Sequence, residues 1–256
     1  MRVSCLMVTS PRPERLEAMT GAVEAYTRQT HPDRELIVVI DNGEQRHRDA
    51  VVAAIAGFER RDIIVVMADR PMKLGGLRNL SVDHSSGEVL CQWDDDDMHH
   101  PQRVARQLAA PARGDCSATL LQDLMLYDRP ARKLYWTNWA ATPATGHPGT
   151  LLCLRNAIQR YPEDGPDAHG SEDMAQLVAL REKHAVDVVA GAPHLFVYVT
   201  HGLNISPPAH LTMLRDELSI SRGLLQRREA ALREGLSAFA LEGLTVEGSN
   251  GPAFTL

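Results

Sequence analysis

Apolar runs alternate with amphipathic stretches through the first hundred residues of the chain. Short apolar runs predict buried strands at residues 3–9, 35–40, 62–67 and 89–93. Between them, apolar residues recur at helical spacing, which predicts helices over residues 14–29, 45–58 and 77–84. Near-continuous apolar strands that alternate with helices are typical of a parallel sheet with right-handed crossovers. The pattern therefore predicts an α/β fold with a Rossmann-like, mostly parallel sheet and flanking helices.

The second half of the chain has a less regular pattern. Pro101 predicts the start of a helix that runs to about residue 109. Two apolar runs, 118–127 and 132–137, flank the turn at 128–130 and predict an antiparallel hairpin. Ser171 can cap a helix that begins at Glu172. The remaining elements predicted here are that helix, over residues 172–184, and short strands at 150–154, 186–190 and 195–200.

The last fifty residues predict one long amphipathic helix from Pro208 to about Leu241. Leucines recur along it at helical spacing, which favours packing on the domain or on a second subunit as a homodimer. Four arginines in this stretch favour an alternative, a helix lying on a membrane surface: Arg222, Arg227, Arg228 and Arg233. The segment after Gly243 contains glycine, serine and asparagine and predicts a frayed tail. We therefore expect one α/β domain over residues 1–206, followed by a helical extension and tail over 207–256.

Composition narrows the class of protein only slightly. A chain of 256 residues with a net charge of −6 offers little support for a nucleic-acid surface. Its four cysteines show no C-x-x-C spacing, which predicts buried thiols in a reducing compartment. No apolar stretch is long enough to cross a bilayer, and the N-terminal run is too short for a signal peptide. We expect a cytoplasmic location, with peripheral attachment to a membrane as the alternative.

Four consecutive carboxylates, Asp94–Asp97, follow the predicted strand at 89–93. Carboxylates this close raise one another's pKa unless a cation neutralises them. Ligands of open α/β sheets bind at the carboxyl ends of strands, and Mg²⁺ or Mn²⁺ takes carboxylate, phosphate and water oxygens. Alternation along the chain would turn Asp94 and Asp96 to one side and Asp95 and Asp97 to the other. The run therefore predicts a metal–diphosphate site, with a solvated acidic turn as the alternative.

Several motifs, in their order and spacing, resemble those of family 2 glycosyltransferases. They are Val3–Ser10, Gln29–Gly43, Gly75–Asn79, the acid run with His100-Pro101, Glu172-Asp173 and His201–Ser206. The resemblance covers most of residues 3–206 and implies a GT-A fold. It also implies metal-dependent, inverting transfer of a sugar from a nucleoside diphosphate sugar, with UDP as the default, to an acceptor hydroxyl. The implied cofactor is Mn²⁺ or Mg²⁺.

The resemblance also implies which residues contact the donor. Thr9 and Asp41 match positions that hold the nucleotide base, and Arg78 and Asn79 match a loop beside the diphosphate and base. Within the acid run, Asp94 or Asp95 is implied on the ribose or sugar side. The nucleotide-sugar-binding residues implied by the resemblance are thus Thr9, Asp41, Arg78, Asn79, Asp94 and Asp95.

The metal ligand and the catalytic base are implied in the same way. Asp96 matches the metal-binding position, and His201 matches a position that approaches the metal or the diphosphate. Asp173 matches the general base of inverting members. From the residues alone, the alternatives are an ordinary helix-start acid for Asp173, a loop histidine for His201 and a turn former for Asp41. Trp136 and Trp139 are either core residues or part of an acceptor site.

The chain departs from membrane-embedded processive synthases, because it has neither transmembrane segments nor a Q-x-x-R-W motif. A non-processive transferase is therefore expected. The rival functions are a sugar-nucleotide pyrophosphorylase, whose Gly-rich loop after the first strand is missing at residues 9–13, and a non-catalytic relative that binds a nucleotide sugar or a partner. The acceptor is left open among a glycan, a lipid-linked sugar, a small molecule, a protein and modified DNA.

Overall fold

Two β-sheets and eight α-helices make up the computed structural model, which describes residues 1–256. The strands are β1 (Val3–Thr9), β2 (Arg34–Ile40), β3 (Ile63–Met67), β4 (Val89–Gln92), β5 (Met98–His99), β6 (Ala118–Leu121), β7 (Asp123–Asp128), β8 (Lys133–Asn138), β9 (His147–Leu154), β10 (Val186–Val189), β11 (Phe196–Thr200), β12 (Thr245–Gly248) and β13 (Gly251–Thr255). The helices are α1 (Leu16–Thr27), α2 (Gln45–Ala56), α3 (Leu74–Asp83), α4 (Arg103–Arg113), α5 (Glu172–Arg181), α6 (Pro208–Leu218), α7 (Arg222–Arg227) and α8 (Glu229–Leu236).

The first sheet has the strand order β10-β6-β9-β4-β1-β2-β3. Strands β4, β1, β2 and β3 are parallel, as the alternation of apolar runs and helices predicts. Strand β9 is antiparallel to both of its neighbours. Strand β1 lies between β2 and β4. The connection that follows β1 leads to β2 on one side, and the chain that follows β4 leads to β6 on the other side. Such a reversal opens a crevice at the carboxyl ends of β1 and β4. The predicted α/β class and mostly parallel sheet are confirmed.

The second sheet begins where the predicted strand at 118–127 breaks. Gln122 separates β6, in the first sheet, from β7, in the second, whose order is β13-β12-β8-β7-β11-β5. The buried carboxylate of Asp123 accepts hydrogen bonds from Trp136 Nε1 (2.7 Å) and from the backbone N–H of Gly191 (2.7 Å). These bonds fix the point at which the chain changes sheets. The predicted hairpin is confirmed, since β7 and β8 pair antiparallel.

The prediction of one long C-terminal helix is wrong. The chain forms three short helices, α6 to α8, because the backbone N–H of Ile220 donates to the carbonyl of Trp136 and Ser221 caps α7. The predicted frayed tail is also wrong, since β12 pairs with β8 and β13 pairs with β12. Leu225 of α7 and Leu232 and Leu236 of α8 are buried in one cluster with residues of this sheet, so these side chains are covered within the chain itself. None of the eight helices has the length and apolar character that a membrane-spanning helix requires.

Two further details differ from the sequence-based expectations. Helix α5 begins at Glu172 as predicted, but it ends at Arg181 and the side chain of Ser171 makes no capping bond. Helix α3 begins at Leu74, before the two glycines. Within it, Gly75 packs against the Pro162 carbonyl oxygen, which a Cβ would approach to 1.9 Å. All four cysteines are free and buried, as expected.

Candidate functional site

A cavity of about 500 Å³ opens at the carboxyl ends of β1, β2 and β4. The acid run forms its floor, and the start of α5 and the loop at 203–206 lie at its sides. Asp41, at the end of β2, also lines it. The topology therefore brings together residues that are more than a hundred positions apart in sequence.

The exposure of the acid run alternates as the sequence predicts. Asp94 and Asp96 leave 25% and 14% of their side chains exposed, whereas Asp95 and Asp97 are buried. Asp97 accepts from the backbone N–H of Val199 (2.8 Å), so it fastens the run to the second sheet. Burial, followed by the charges of Asp96 and Asp94, raises the pKa of Asp97 well above its ordinary value.

Asp95 is held by residues from the start of the chain. The hydroxyl of Thr9 donates to its Oδ2 (2.6 Å), and the Arg15 guanidinium forms an ion pair with its Oδ1. Burial and the charge of Asp96 outweigh Arg15 and raise the pKa of Asp95 to about 6. Thr9 itself is buried and does not line the cavity, so the structure places it behind the acid run.

Asp96 accepts hydrogen bonds from two side chains in different parts of the chain. Arg15 Nη2 lies 3.1 Å from its Oδ2, and His201 Nε2 lies 2.9 Å from the same oxygen. The backbone N–H of Leu203 donates to His201 Nδ1, which leaves Nε2 as the protonated nitrogen that donates to Asp96. Burial acts to raise the pKa of Asp96, but His201 and Arg15 together hold it below its ordinary value.

Arg78 joins the acid run to α5. Its Nη2 lies 3.2 Å from Asp94 Oδ1, and its Nε donates to Glu172 Oε1 (2.9 Å). Glu172 is buried, and its other oxygen accepts from the backbone N–H of Gly170 (2.7 Å). Burial acts to lower the pKa of Arg78, but Asp94 and Glu172 raise it well above the ordinary value. The guanidinium therefore stays charged between the two carboxylates.

Asp173 lies next to this ion pair, at the first turn of α5, and faces the cavity. Its Oδ1 accepts from the backbone N–H of Met174 (2.7 Å). Burial raises its pKa to about 6; Arg78 opposes the rise, whereas Glu172 and Asp94 add to it. The helix dipole alone would lower this pKa, so burial and the neighbouring acids outweigh it.

Asp41 and Asn79 have different surroundings. Asp41 lines the cavity; its Oδ1 accepts from the backbone N–H of Asn42 (2.7 Å), and burial raises its pKa. The amide of Asn79 instead donates to the Tyr161 carbonyl (2.9 Å) and accepts from the Tyr161 N–H (2.9 Å). Asn79 does not line the cavity, so its side chain holds a neighbouring loop in place.

Sequence reasoning missed several residues that hold this site together. Arg15 and Glu172 neutralise and orient the site residues as described above. Behind the acid run, the fully buried Arg103 donates to the Gln92 carbonyl (2.9 Å) and contacts His99 Nδ1. His99 Nε2 in turn donates to the Asp94 carbonyl (3.1 Å). An acid run at a buried strand end requires nearby cations, but the sequence does not say which arginine supplies them.

The oxygen ligands that line this cavity suit a hard divalent cation. Asp94 and Asp96 present carboxylate oxygens to the same cavity, and Mg²⁺ or Mn²⁺ commonly takes one or two carboxylates with phosphate and water oxygens. The structure shows no preformed group of three or more acid, histidine or cysteine ligands. A cation held here would therefore take most of its ligands from substrate and water. His201 Nε2 would have to lose its proton to join them.

Comparison with known proteins gives a family match over the first half of the chain. The family model described as glycosyl transferase family 2 matches residues 10–139, just over half of the chain. The uncharacterized glycosyltransferase MJ1057 of Methanocaldococcus jannaschii is 28% identical over 105 residues, and YwdF of Bacillus subtilis, described in the same words, is 29% identical over 106. These matches cover 41% of this chain and only 35% and 37% of the two relatives.

Solved structures share the fold over most of the chain. Staphylococcus aureus TarS, residues 1–349 in complex with UDP-GlcNAc, aligns with a TM-score of 0.62 and 12% identity, over 92% of this chain and 66% of that one. The mannosyltransferase PcManGT of Pyrobaculum calidifontis, in complex with GDP-Man and Mn²⁺, aligns with a TM-score of 0.58 and 15% identity, over 93% and 68%. At this identity the two structures show a common fold.

Proposed function

The chain belongs to glycosyl transferase family 2, and from that premise we propose that it moves a sugar from a nucleoside diphosphate sugar to an acceptor hydroxyl. The observation that carries the proposal is one cavity that holds both a carboxylate with a pKa of about 6, Asp173, and a run of acids at a strand end. Such a transfer needs a base for the acceptor and a site that stabilises the leaving diphosphate.

The nucleotide is proposed to lie along the carboxyl ends of β1 and β2. Asp41 lines this part of the cavity and can accept a hydrogen bond from a base N–H. Arg78 lies between Asp94 and Glu172 and can turn a guanidinium N–H towards the diphosphate. A uridine nucleotide is our first choice, which the fold shared with a UDP-GlcNAc complex supports. Thr9 and Asp95 then act by fixing the floor of the site.

We propose Mn²⁺ or Mg²⁺ as the cofactor, held by Asp96 with Asp94 beside it. When bound, the ion supplies Lewis-acid stabilisation of the charge that develops on the leaving diphosphate. The fold shared with a GDP-Man and Mn²⁺ complex supports this choice. His201 and Arg15 hold the Asp96 carboxylate in place in the structure and keep it ionised.

Asp173 is proposed as the general base of an inverting, non-processive transfer. It takes the proton of the acceptor hydroxyl as that oxygen attacks the anomeric carbon, and the bond from that carbon to the diphosphate breaks. A pKa of about 6 leaves the carboxylate mostly ionised at neutral pH, yet basic enough to accept a proton. Arg78, bonded to Glu172 and Asp94, keeps α5 at a fixed place relative to the acid run.

Exposed apolar side chains at the mouth of the cavity favour an acceptor with an apolar portion. Met174, Leu203 and Ile205 line the cavity but remain 36%, 45% and 53% exposed, and Val178, one helical turn after Met174, is 56% exposed. Large apolar side chains grouped at a cavity entrance commonly mark a binding surface. We propose a lipid-linked sugar as the acceptor, with peripheral attachment to a membrane as the matching location. Exchanging Ile205 and Val178 for serine should raise KM for a lipid-linked acceptor and leave transfer to a water-soluble sugar unchanged; equal effects on both would contradict the proposal.

Ligand-dependent stability tests the proposed function as a whole. UDP-GlcNAc and GDP-mannose would be screened with and without Mn²⁺, because a ligand that binds only the native state raises its melting temperature. We expect at least one of them to stabilise the protein, and to do so more strongly with Mn²⁺. If none does so under either condition, the proposed function is wrong. A non-catalytic relative would bind a donor but show neither donor hydrolysis nor sugar transfer.

A further inference from the structure

Two buried nitrogen atoms without hydrogen-bond partners lie on one wall of the cavity. They are Nε1 of Trp139 and Nδ1 of His147. The two rings meet edge to face, with centroids 4.7 Å apart and an interplanar angle of 81°. Buried polar groups in native proteins are nearly always paired, because an unpaired one destabilises the fold. This wall therefore carries hydrogen-bonding capacity that nothing within the chain uses.

The chemistry of the wall defines the group that would complement it. Burial lowers the pKa of His147 to about 3, so its ring is neutral at physiological pH. A neutral imidazole both donates and accepts, whereas the Trp139 indole only donates. Neither ring brings a charge that would favour a phosphate or a carboxylate. Hydroxyl groups, which donate and accept at the same centre, complement both nitrogens.

Aromatic rings surround these nitrogens. The Tyr198 ring lies 5.1 Å from that of His147, and Tyr198 lines the cavity with Trp139. Leu214 adds an apolar side chain at the same wall. Sites for small molecules typically combine such apolar walls with a few placed polar groups. A sugar ring, with apolar C–H faces and hydroxyl edges, has the matching surface.

The position of Gly149 connects this wall to the acid run. A Cβ on Gly149 would lie 3.1 Å from His147 Nδ1 and 3.2 Å from Asp94 Oδ2, so both atoms face the same glycine. The wall therefore adjoins the carboxylate that the proposed function places beside the donor. Because glycine has no side chain, the passage between His147 and Asp94 stays open.

We propose that Trp139 and His147 bind hydroxyl groups of the donor's sugar ring and so select the sugar that is transferred. The inference rests on the proposed function, since it needs a nucleotide sugar in this cavity. It makes a specific claim about affinity. The two residues should contribute to binding of the sugar nucleotide and not to binding of the free nucleoside diphosphate.

A tryptophan pair in the chain provides a matched test. Trp139→Phe keeps an aromatic ring but removes the unpaired N–H, and Trp136→Phe removes an N–H that donates to Asp123 Oδ1 at 2.7 Å. Isothermal titration would compare UDP-GlcNAc with UDP, or GDP-mannose with GDP, using the pair that the wild type binds. Melting temperatures without ligand would be measured on the same samples.

We expect opposite results from the two variants. Trp139→Phe should bind the sugar nucleotide about tenfold more weakly, bind the free nucleotide as before, and melt at the same temperature or higher. Trp136→Phe should melt lower and keep both affinities. His147→Phe should resemble Trp139→Phe in its binding.

Three results would overturn the inference. One is unchanged sugar-nucleotide affinity in both Trp139→Phe and His147→Phe. Another is an equal loss for the free nucleotide, which would mean a general disturbance of the site. A third is a raised acceptor KM with normal donor affinity, which would assign the wall to the acceptor. If the wild type itself binds no nucleotide sugar, the proposed function is wrong. That result differs from the three above, in which the wild type binds the donor and only the role of Trp139 and His147 fails.

Discussion

Replacing Asp173 with Asn should separate catalysis from stability. Asn keeps the size of the side chain and an oxygen that can accept from the Met174 N–H, but it cannot take a proton from the acceptor. Removal of a general base typically lowers the rate by about 10²–10⁴. We therefore expect single-turnover transfer to slow by that factor, while donor affinity stays close to that of the wild type.

The same substitution should stabilise the unliganded protein at neutral pH. The pKa of Asp173 rises from 3.8 to about 6 on folding, and each unit corresponds to about 1.4 kcal/mol. The folded state thus binds more protons than the unfolded state between these values, and this group makes stability fall as the pH rises through that window. Above a pH of about 6, the raised pKa of Asp173 lowers the free energy of unfolding by at most about 3 kcal/mol. After screening by solvent in the open cavity, we expect about 1–2 kcal/mol.

Thermal unfolding at two pH values would measure this effect. Asp173→Asn should unfold at a higher temperature than the wild type at pH 7, and the difference should disappear below a pH of about 3, under the unfolded-state pKa of 3.8, where the wild-type carboxyl is protonated in both states. The acid limb of the wild-type kcat/KM profile should fall below a pH of about 6.

Glu172→Gln is the matched control, because the neighbouring Glu172 forms a buried ion pair with Arg78. Breaking one partner of such a pair typically costs about 3–5 kcal/mol, so this variant should be less stable at pH 7. Near-normal transfer by Asp173→Asn would refute the assignment of the base. A loss of stability like that of Glu172→Gln would refute the account of the pKa.

Three further substitutions test other parts of the site and the fold. Asp96→Ala should remove the dependence of donor binding on Mn²⁺ in titrations while leaving the far-UV spectrum unchanged; persistent Mn²⁺ dependence would place the ion elsewhere. Asp41→Ala should weaken binding of the free nucleotide by about 1–3 kcal/mol, since a base N–H is left unpaired, and unchanged affinity would remove Asp41 from the site. Gly75→Ala should lower the melting temperature, because its Cβ would lie 1.9 Å from the Pro162 carbonyl oxygen, and an unaltered value would contradict that close approach.

Local periodicity was sufficient to predict the first sheet. Strands β1 to β4 are short apolar runs separated by amphipathic helices, so their type and parallel arrangement follow from neighbouring residues. The positions of Asp41 and Asp94–Asp97 follow in turn, because both come directly after a strand of one parallel sheet. The site could be placed at that edge for the same reason.

Elements that depend on distant contacts could not be predicted in this way. The apolar run at 118–127 looks like one strand, yet the bonds of Asp123 to Trp136 and Gly191 end it at Gln122. The C-terminal strands β12 and β13 contain two glycines and a proline, which are poor strand formers, and they are stabilised by pairing with β8 and with each other. Tertiary pairing overrides local preference at both places.

The partners of the acid run were equally hidden, although charge balance requires them. Four adjacent carboxylates cannot all remain ionised at a buried strand end without cations. Arg15 and Arg78 form ion pairs with the run, and the charge of the buried Arg103 acts on Asp94 and Asp97 from behind it. A divalent cation cancels the charge of the diphosphate that it accompanies, so a metal-bound donor would enter as a nearly neutral group. The balance that the arginines establish would then survive donor binding. This is a physical reason for the ion pairs to remain in place during the reaction, and it explains how the same residues can both stabilise the fold and form the site.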